Sequence, residues 1–246
     1  MKDNFSRQAK TYAKYRPDYP KELFDFILNK IVQKENAWDC GTGNGQTAKE
    51  LSKYFQNVFA TDISEKQIQQ AYKTENIFYS VQPAEKTNFA DNIFYLVTVS
   101  QALHWFDLDK FYTEVKRTTK SNGWIAVWTY TLPSTLPDID KLVNEDFCEG
   151  LLGSYWDKER KYVDEKYKTV PFPFKEIQCP VFEIKQEWTI DNLSGYVNSW
   201  SALQKFVSAN HFNPVDELME KVKPFWKQET MQAVFPVYMR MGQIEK

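Results

Sequence analysis

The sequence predicts an α/β fold in which a mostly parallel sheet carries helices on both faces, and three observations support it. Short apolar runs at 37–40, 57–61, 77–81, 93–99 and 124–129 alternate with helical segments at 46–55, 64–73 and 107–118. Strands separated in this way by helices form parallel sheets. The stretch Ala37-Trp38-Asp39-Cys40-Gly41-Thr42-Gly43-Asn44-Gly45-Gln46 leads an apolar run into an acidic residue and three alternating glycines, which suits a chain that leaves a strand, turns sharply and starts a helix. The next apolar run ends on a second acidic residue, Asp62.

The N-terminal part, 1–35, opens with tyrosines at 12, 15 and 19 around Arg16-Pro17-Asp18-Tyr19-Pro20. Two prolines make that connection extended, so the tyrosines lie on a segment able to close over a site. A helix through Leu23, Phe26, Ile27 and Val32 follows. In the glycine turn, missing Cβ atoms let the backbone approach a ligand, and the N–H groups of the helix start are unpaired. A dinucleotide fingerprint would need glycine at 46, where the chain has Gln46, so NAD is the weaker reading.

Helix 46–55 turns Ala48, Leu51 and Phe55 toward the sheet and returns the chain parallel, which brings Asp62 beside the glycine turn. A carboxylate there accepts from both ribose hydroxyls, each bond worth roughly 1.5–3 kcal/mol. Ser64 with Gln67 forms a capping box for the next helix and leaves Asp62 free for that role. Gln82-Pro83-Ala84-Glu85 follows the third strand, a loop at 83–91 replaces one crossover, and Gln101-Ala102-Leu103-His104-Trp105-Phe106 follows the fourth. All these candidates fall beyond strand carboxyl ends, where ligands bind in such sheets.

Asp107 and Asp109 start a helix that ends near Lys116, Arg117 and Lys120, and Ser121-Asn122-Gly123 turns into the fifth strand. From 131 to 175 the alternation breaks into an insertion over the site: prolines at 133 and 137, a helix through Ile139, Leu142, Val143 and Phe147, then a charged run at 158–168 read as a solvated helix face. For an anionic substrate, Arg160 and Lys161 are its local candidates. Val181 to Trp188 reads as a sixth strand, and Tyr196, Trp200 and Leu203 share a helix face that is either core or pocket. Asn213-Pro214 starts a helix, and a closing strand at 234–242 should bulge or lie at an edge around Pro236.

Size and composition narrow the function classes. At 246 residues the chain suits one α/β domain with an insertion. A net charge of −2 without long like-charge runs points away from nucleic acid and membrane surfaces and toward a small-molecule partner. No apolar run is long enough for a membrane span, and Met1-Lys2-Asp3-Asn4 opens no signal peptide, so a cytoplasmic location is expected. The three cysteines form no CxxC pair and read as reduced thiols, and two distant histidines, His104 and His211, make a metal site improbable.

Asp39, Gly41, Gly43 and Gly45 resemble the first motif of class I S-adenosylmethionine (SAM)-dependent methyltransferases. Four further stretches resemble relatives of trans-aconitate methyltransferase within the methyltransferase type 11 family: Tyr12-x-x-Tyr15-Arg16-Pro17-x-Tyr19-Pro20, Ala84-Glu85, Ala102-x-His104-Trp105-Phe106 and Gly195-Tyr196-x-x-Ser199-Trp200-Ser201-Ala202. Tyr95 departs from that pattern, which has Asp at its position in the fourth strand. The resemblance implies a Rossmann-like fold with a seven-stranded sheet and one antiparallel strand near the C-terminus.

It also implies one methyltransferase domain over 1–246, divided into an N-terminal lid and helix (1–35), a SAM-binding core (36–130), a substrate cap (131–175) and a completing part (176–246). Tyr12, Arg16, Asp39, Gly41, Gly43, Gly45, Asp62, Ile63, Ala84, Glu85, Gln101 and Ala102 would hold SAM, while Tyr15, Trp105, Tyr196, Trp200 and Ser201 would face the methyl acceptor. An aromatic wall such as Trp105 would favour a sulfonium by about 0.5–2 kcal/mol and exclude water. The implied reaction is methylation of a small molecule, for which a carboxylate acceptor needs no base and a hydroxyl or amine would need one, His104 being the candidate. A catalytically silent SAM-binding module is the alternative.

Overall fold

The computed structural model describes Tyr15 and residues 17–246; Tyr12 and Arg16 lie outside the described residues. The strands are β1 (Asn36–Cys40), β2 (Asn57–Asp62), β3 (Ile77–Val81), β4 (Phe94–Ser100), β5 (Thr119–Tyr130), β6 (Lys175–Ile177), β7 (Phe182–Trp188) and β8 (Met231–Gln243). They form one sheet in the order β3-β2-β1-β4-β5-β8-β6, with β7 also paired to β8. Strands β1 to β5 are parallel, and β8 runs antiparallel to its neighbours β5, β6 and β7.

The sheet thus has eight strands where seven were expected. Strands β6 and β7 pair with different stretches of β8, Met241 to Gln243 and Met231 to Val237, and so share one position. The break between them falls at Cys179-Pro180, where a residue without an N–H cannot continue a ladder. Pro236 meets Glu183 of β7 without a register shift, so the expected bulge is absent. Strand β5 ends at Tyr130, opposite Val237, and Pro236 lies just beyond that end.

Side-chain alternation builds the two layers. Ala37, Leu96, Ala126 and Trp128 enter one buried cluster with Leu23 and Ile27 of α1 (Lys21–Leu28) and with Ala48 and Leu51 of α2 (Gln46–Leu51). Trp38, Val97, Ile125 and Val127 face the other cluster, with Phe111 and Val115 of α4 (Leu108–Thr118). Strands covered on both faces in this way read as continuous apolar runs. The register of β4 on β5 shifts between Phe94 and Leu96, around Tyr95, whose ring lies under Lys120 Nζ at 5.1 Å.

Two early helices are shorter than the periodicity predicts. Helix α2 stops at Leu51, and α3 (Glu65–Gln69) stops because the chain is drawn back: Tyr72 N–H donates to the carbonyl of Asn44 in the glycine turn, and Tyr79 Oη donates to the carbonyl of Tyr72. The remaining helices are α5 (Pro137–Asp140), which runs into a π-helical segment (Lys141–Leu151), α6 (Lys161–Asp164), α7 (Ile190–Asn198), α8 (Ser201–Asn210) and α9 (Val215–Val222). Helix α9 starts one residue after Pro214, and Asn213 Oδ1 accepts from Val215 N–H. Among the described residues no helix is long and apolar enough to cross a membrane.

The loop that replaces a crossover is held by Arg117. Its guanidinium donates to both oxygens of Glu114, to the Phe89 carbonyl and to Asp91, and Glu114 in turn accepts from the N–H and hydroxyl of Thr87. Burial works against the Glu114 carboxylate, yet the bonds from Arg117 and Thr87 hold it below the ordinary carboxylate range. Removing the cation would strand a nearly buried charge. Because Arg117 is itself one-third exposed, Arg117→Met is expected to cost about 2 kcal/mol rather than the 3–5 of a fully buried pair, read as a lower midpoint in urea unfolding.

Candidate active site

Asp39, at the end of β1, is fully buried beneath the glycine turn. It accepts from Thr42 Oγ1 at 2.5 Å, from Thr98 Oγ1 of β4 at 2.7 Å and from the backbone of Ala48 in the first turn of α2. An anion at a helix start with three donors fixes the shape of the turn above it. Burial nevertheless raises its carboxyl to about 6, against the opposing effect of the Thr42, Thr98 and Ala48 bonds. Asp39 shapes the site from below and presents no surface to a ligand.

The three glycines all have positive φ, at 67°, 56° and 82°, and their surroundings separate them. A Cβ on Gly41 would come within 2.7 Å of Ala102 Cβ, and one on Gly45 within 2.2 Å of Tyr79 Oη. Those two positions are closed by protein. At Gly43 nothing among the described residues lies within 4 Å of the added atom, so Gly43 borders open space. Asp62, at the end of β2, stands beside that space: Oδ2 accepts from Gly43 N–H at 2.9 Å and Oδ1 from Ser64 N–H at 2.8 Å.

The Ser64 bond corrects one expectation. Ser64 Oγ accepts from Gln67 N–H, but Ser64 N–H goes to Asp62 instead of the Gln67 side chain, whose Oε1 is buried without a partner. Half of the capping box is therefore replaced by Asp62. An open glycine turn beside a half-buried carboxylate at the carboxyl ends of two parallel strands fits the ribose end of a nucleoside cofactor.

Ile63 follows directly, Ala84 is buried, and Glu85 Oε1 accepts from Asp107 N–H at the start of α4. Ala102 packs on Gly41, and its neighbour Gln101 joins this end of the sheet to a cavity of about 110 Å³. Gln101, His104, Trp105, Tyr196, Trp200 and Ser201 all line it. Tyr196 and Trp200 are also core: both are nearly fully buried, in edge contact with each other at 5.7 Å, and Tyr196 packs on Phe235. Tyr15 is not on this wall; its ring packs against Gly195, where a Cβ would come within 2.4 Å.

Apart from Tyr130 at the end of β5, the rest of the wall comes from the insertion. Trp156, Asp157, Arg160, Val163 and Asp164 face the cavity, so the charged run is not simply a solvated face. Arg160 lies 3.8 Å above the Trp156 ring, a contact worth about 1–2 kcal/mol, and its Nε reaches Asp164 at 3.4 Å. Asp157 pairs with Lys205 at 2.6 Å. Lys161 instead lies over the Tyr162 ring and does not line the cavity.

His104 Nδ1 is 2.9 Å from Tyr167 Oη, and the imidazole is 4.7 Å from the Trp105 ring, centroid to centroid. Burial lowers its pKa to about 3, so it is neutral at physiological pH. Sequence reasoning missed Trp156, Asp157, Asp164 and Tyr167. No period marks them, and the only available signal was their crowding into one aromatic, charged insertion.

A glycine turn at the carboxyl end of a parallel sheet beside an aromatic-lined cavity suits an enzyme that binds a cofactor and a small acceptor side by side. Comparison with known proteins makes this specific. Residues 38–127 match the family described as "Methyltransferase domain". A Dictyostelium discoideum protein assigned as a methyltransferase is 32% identical over 251 residues, covering 99% of this chain and 95% of that one. The solved structure of a protein from Anaeromyxobacter dehalogenans, assigned as a type II methyltransferase, superposes with a TM-score of 0.86 at 33% identity, over 94% of this chain and 99% of that one. A Haemonchus contortus phosphoethanolamine N-methyltransferase, solved with S-adenosylhomocysteine, shares the fold with a TM-score of 0.50 at 16% identity, over 98% of this chain and 57% of that one. The chain belongs to the SAM-dependent methyltransferase family, and its cofactor is SAM.

The buried carboxyl gives a pH test. Between its unfolded value near 4 and about 6, the folded chain keeps a proton on Asp39 that the unfolded chain has released, so this contribution is full below pH 4 and lost as pH rises through 6. Relative to Asp39→Asn, the parent should lose roughly 3 kcal/mol across that window, at 1.36 kcal/mol per unit. Urea melts of both proteins at pH 4, 5, 6 and 7 measure the change.

Proposed function

We propose that this methyltransferase transfers its methyl group to an oxygen of a small carboxylic acid. The observation that carries the reading is Arg160, stacked on Trp156 in the wall shared with Trp105 and bonded to Asp164 only through Nε among the described residues. Its Nη groups are left to meet an anion, and an arginine fork matches a carboxylate with two parallel bonds. A carboxylic acid is ionised at neutral pH, so no group has to remove a proton before transfer.

His104 supports the same choice. A base works best with a pKa near the operating pH, and an imidazole held at about 3 is far from it. Deprotonation of a hydroxyl or amine is therefore a poor use of this residue. SAM supplies an electrophilic methyl that carries its own leaving group. The chain's task is to bind both partners in line, at roughly 3–3.5 Å, and to keep water out.

In this reading Gly41, Gly43, Gly45, Asp62, Ile63, Ala84, Glu85, Gln101 and Ala102 surround the cofactor, with Asp39 supporting the turn and Tyr12 and Arg16 contributing from the N-terminal segment. Trp105, Tyr196, Trp200 and Ser201 wall the acceptor, Tyr15 steadies α7, and 131–175 acts as the substrate cap of a single domain. The three thiols are free, Cys40 and Cys148 buried, which suits the reducing cytoplasm.

Two experiments test these assignments. Incubated with SAM and a panel of mono-, di- and tricarboxylic acids, the protein should form methyl esters detectable by mass spectrometry, and Arg160→Gln should lower kcat/KM by about 10- to 100-fold, mainly through KM, the worth of a charged hydrogen bond. Products confined to amines or alcohols would refute the carboxylate reading. Gly43→Ala should fold, at a backbone cost of about 1–2 kcal/mol, yet bind SAM at least tenfold more weakly by calorimetry. Unchanged affinity would remove the cofactor from this turn.

A further inference from the structure

We propose that Tyr167 is a positioning residue that fixes the tautomer of His104, keeping the imidazole proton on Nε2 so that His104 offers the cavity a hydrogen-bond donor. The proposal rests on reading that cavity as the acceptor site. Its basis is a chain of buried polar contacts that the methyl-transfer reading does not itself require.

Tyr167 is fully buried, so its hydroxyl proton must find an acceptor within the protein. Two candidates are present, His104 Nδ1 at 2.9 Å and Thr129 Oγ1. An unprotonated imidazole nitrogen is the stronger acceptor. Were Nδ1 protonated and donating to Oη, the buried hydroxyl proton would be left without this acceptor, whereas a hydrogen bond from Oη to Nδ1 satisfies both groups.

Thr129 Oγ1 makes no hydrogen bond to Tyr167 Oη among the described residues and gives its own proton to Gln101. Gln101 Nε2 donates to the Tyr130 carbonyl at 3.0 Å, which orients the amide so that Oε1 accepts from Thr129 Oγ1 at 2.5 Å. With Nδ1 acting as an acceptor, the one proton of the neutral ring resides on Nε2, on the opposite side of the imidazole. No described residue accepts from that nitrogen, and His104 lines the cavity.

The backbone around Tyr167 is built to hold this arrangement. Lys166 and Tyr167 both have left-handed φ, 60° and 58°, a conformation that costs a side-chain-bearing residue about 1–2 kcal/mol. Arg240 of β8 offsets that cost: Nη1 donates to the carbonyls of Tyr167 and Val170, while Nε and Nη2 hold Glu176. The tyrosine is thereby locked to the sheet. An Nε2–H donor beside Arg160 gives the cavity a neutral and a charged donor for one anionic oxygen pair.

Imidazole 15N–1H correlation spectra of the full-length 15N-labelled protein at pH 7 test the proposal directly. The chain has only two histidines, so His104→Gln assigns the signals. The parent should show His104 neutral with its proton on Nε2, and Tyr167→Phe should shift it to a mixture of both tautomers while S-adenosylhomocysteine affinity stays within twofold of the parent. A proton on Nδ1 in the parent, or an unchanged tautomer in Tyr167→Phe, would overturn the proposal. Should Tyr167→Phe not fold, the parent spectrum alone decides. A parent that binds no S-adenosylhomocysteine would instead remove the functional reading and leave the tautomer result standing.

Discussion

The cofactor end of the molecule depends on one buried carboxylate. Asp39 ties β1, β4 and the first turn of α2 together through Thr42, Thr98 and Ala48, and every loop geometry above it follows from those bonds. The glycines are then distributed by need: Gly41 and Gly45 let Ala102 and Tyr79 close in, and of the three Gly43 alone has nothing within 4 Å of an added Cβ among the described residues. A buried charge is costly in itself. Here it secures a turn whose N–H groups at Thr42, Gly43 and Gly45 are taken by Thr61, Asp62 and Thr42, which fixes the backbone around Gly43.

The two halves of the site meet at Gln101-Ala102. Ala102 presses against the glycine turn, and the Gln101 side chain is oriented by Tyr130 and Thr129 on β5. Gln101 itself takes a left-handed φ of 53°, an uncommon state for such a residue that surrounding contacts must maintain. The chain is thus turned from the nucleoside end toward the aromatic cavity in one step. That geometry sets the glycine turn and the aromatic cavity next to each other.

Much of this was legible in the sequence, for a physical reason. Strands β1, β4 and β5 are buried on both faces, so their composition marks them, and the Gly41–Gly45 spacing and Asp62 fall where a parallel sheet needs a turn and an end. The roof over the cavity was not legible. The segment Lys141–Leu151, where the sequence reads a helix through Ile139, Leu142, Val143 and Phe147, is helical but wound as a π-helix, a winding that apolar spacing does not announce. Lys166-Tyr167 adopts a left-handed turn without glycine or asparagine to announce it. Trp156 and Tyr167 take their places through partners outside their own turns, the Cys148 carbonyl for Trp156 Nε1 and His104 for Tyr167 Oη. The Ser64–Gln67 cap shows the opposite failure: the local motif was correct in type, but a carboxylate two residues upstream competed for the same N–H.

Arg240 also limits how the enzyme can open. Four hydrogen bonds and a stack on Phe172 at 4.7 Å rivet the stretch between Tyr167 and Glu176 to the C-terminal strand. A strap fastened in that way keeps its place on the sheet, so the stretch before it that lines the cavity, Trp156 to Asp164, has a fixed anchor at its C-terminal end, and any displacement of it must hinge upstream of Tyr167.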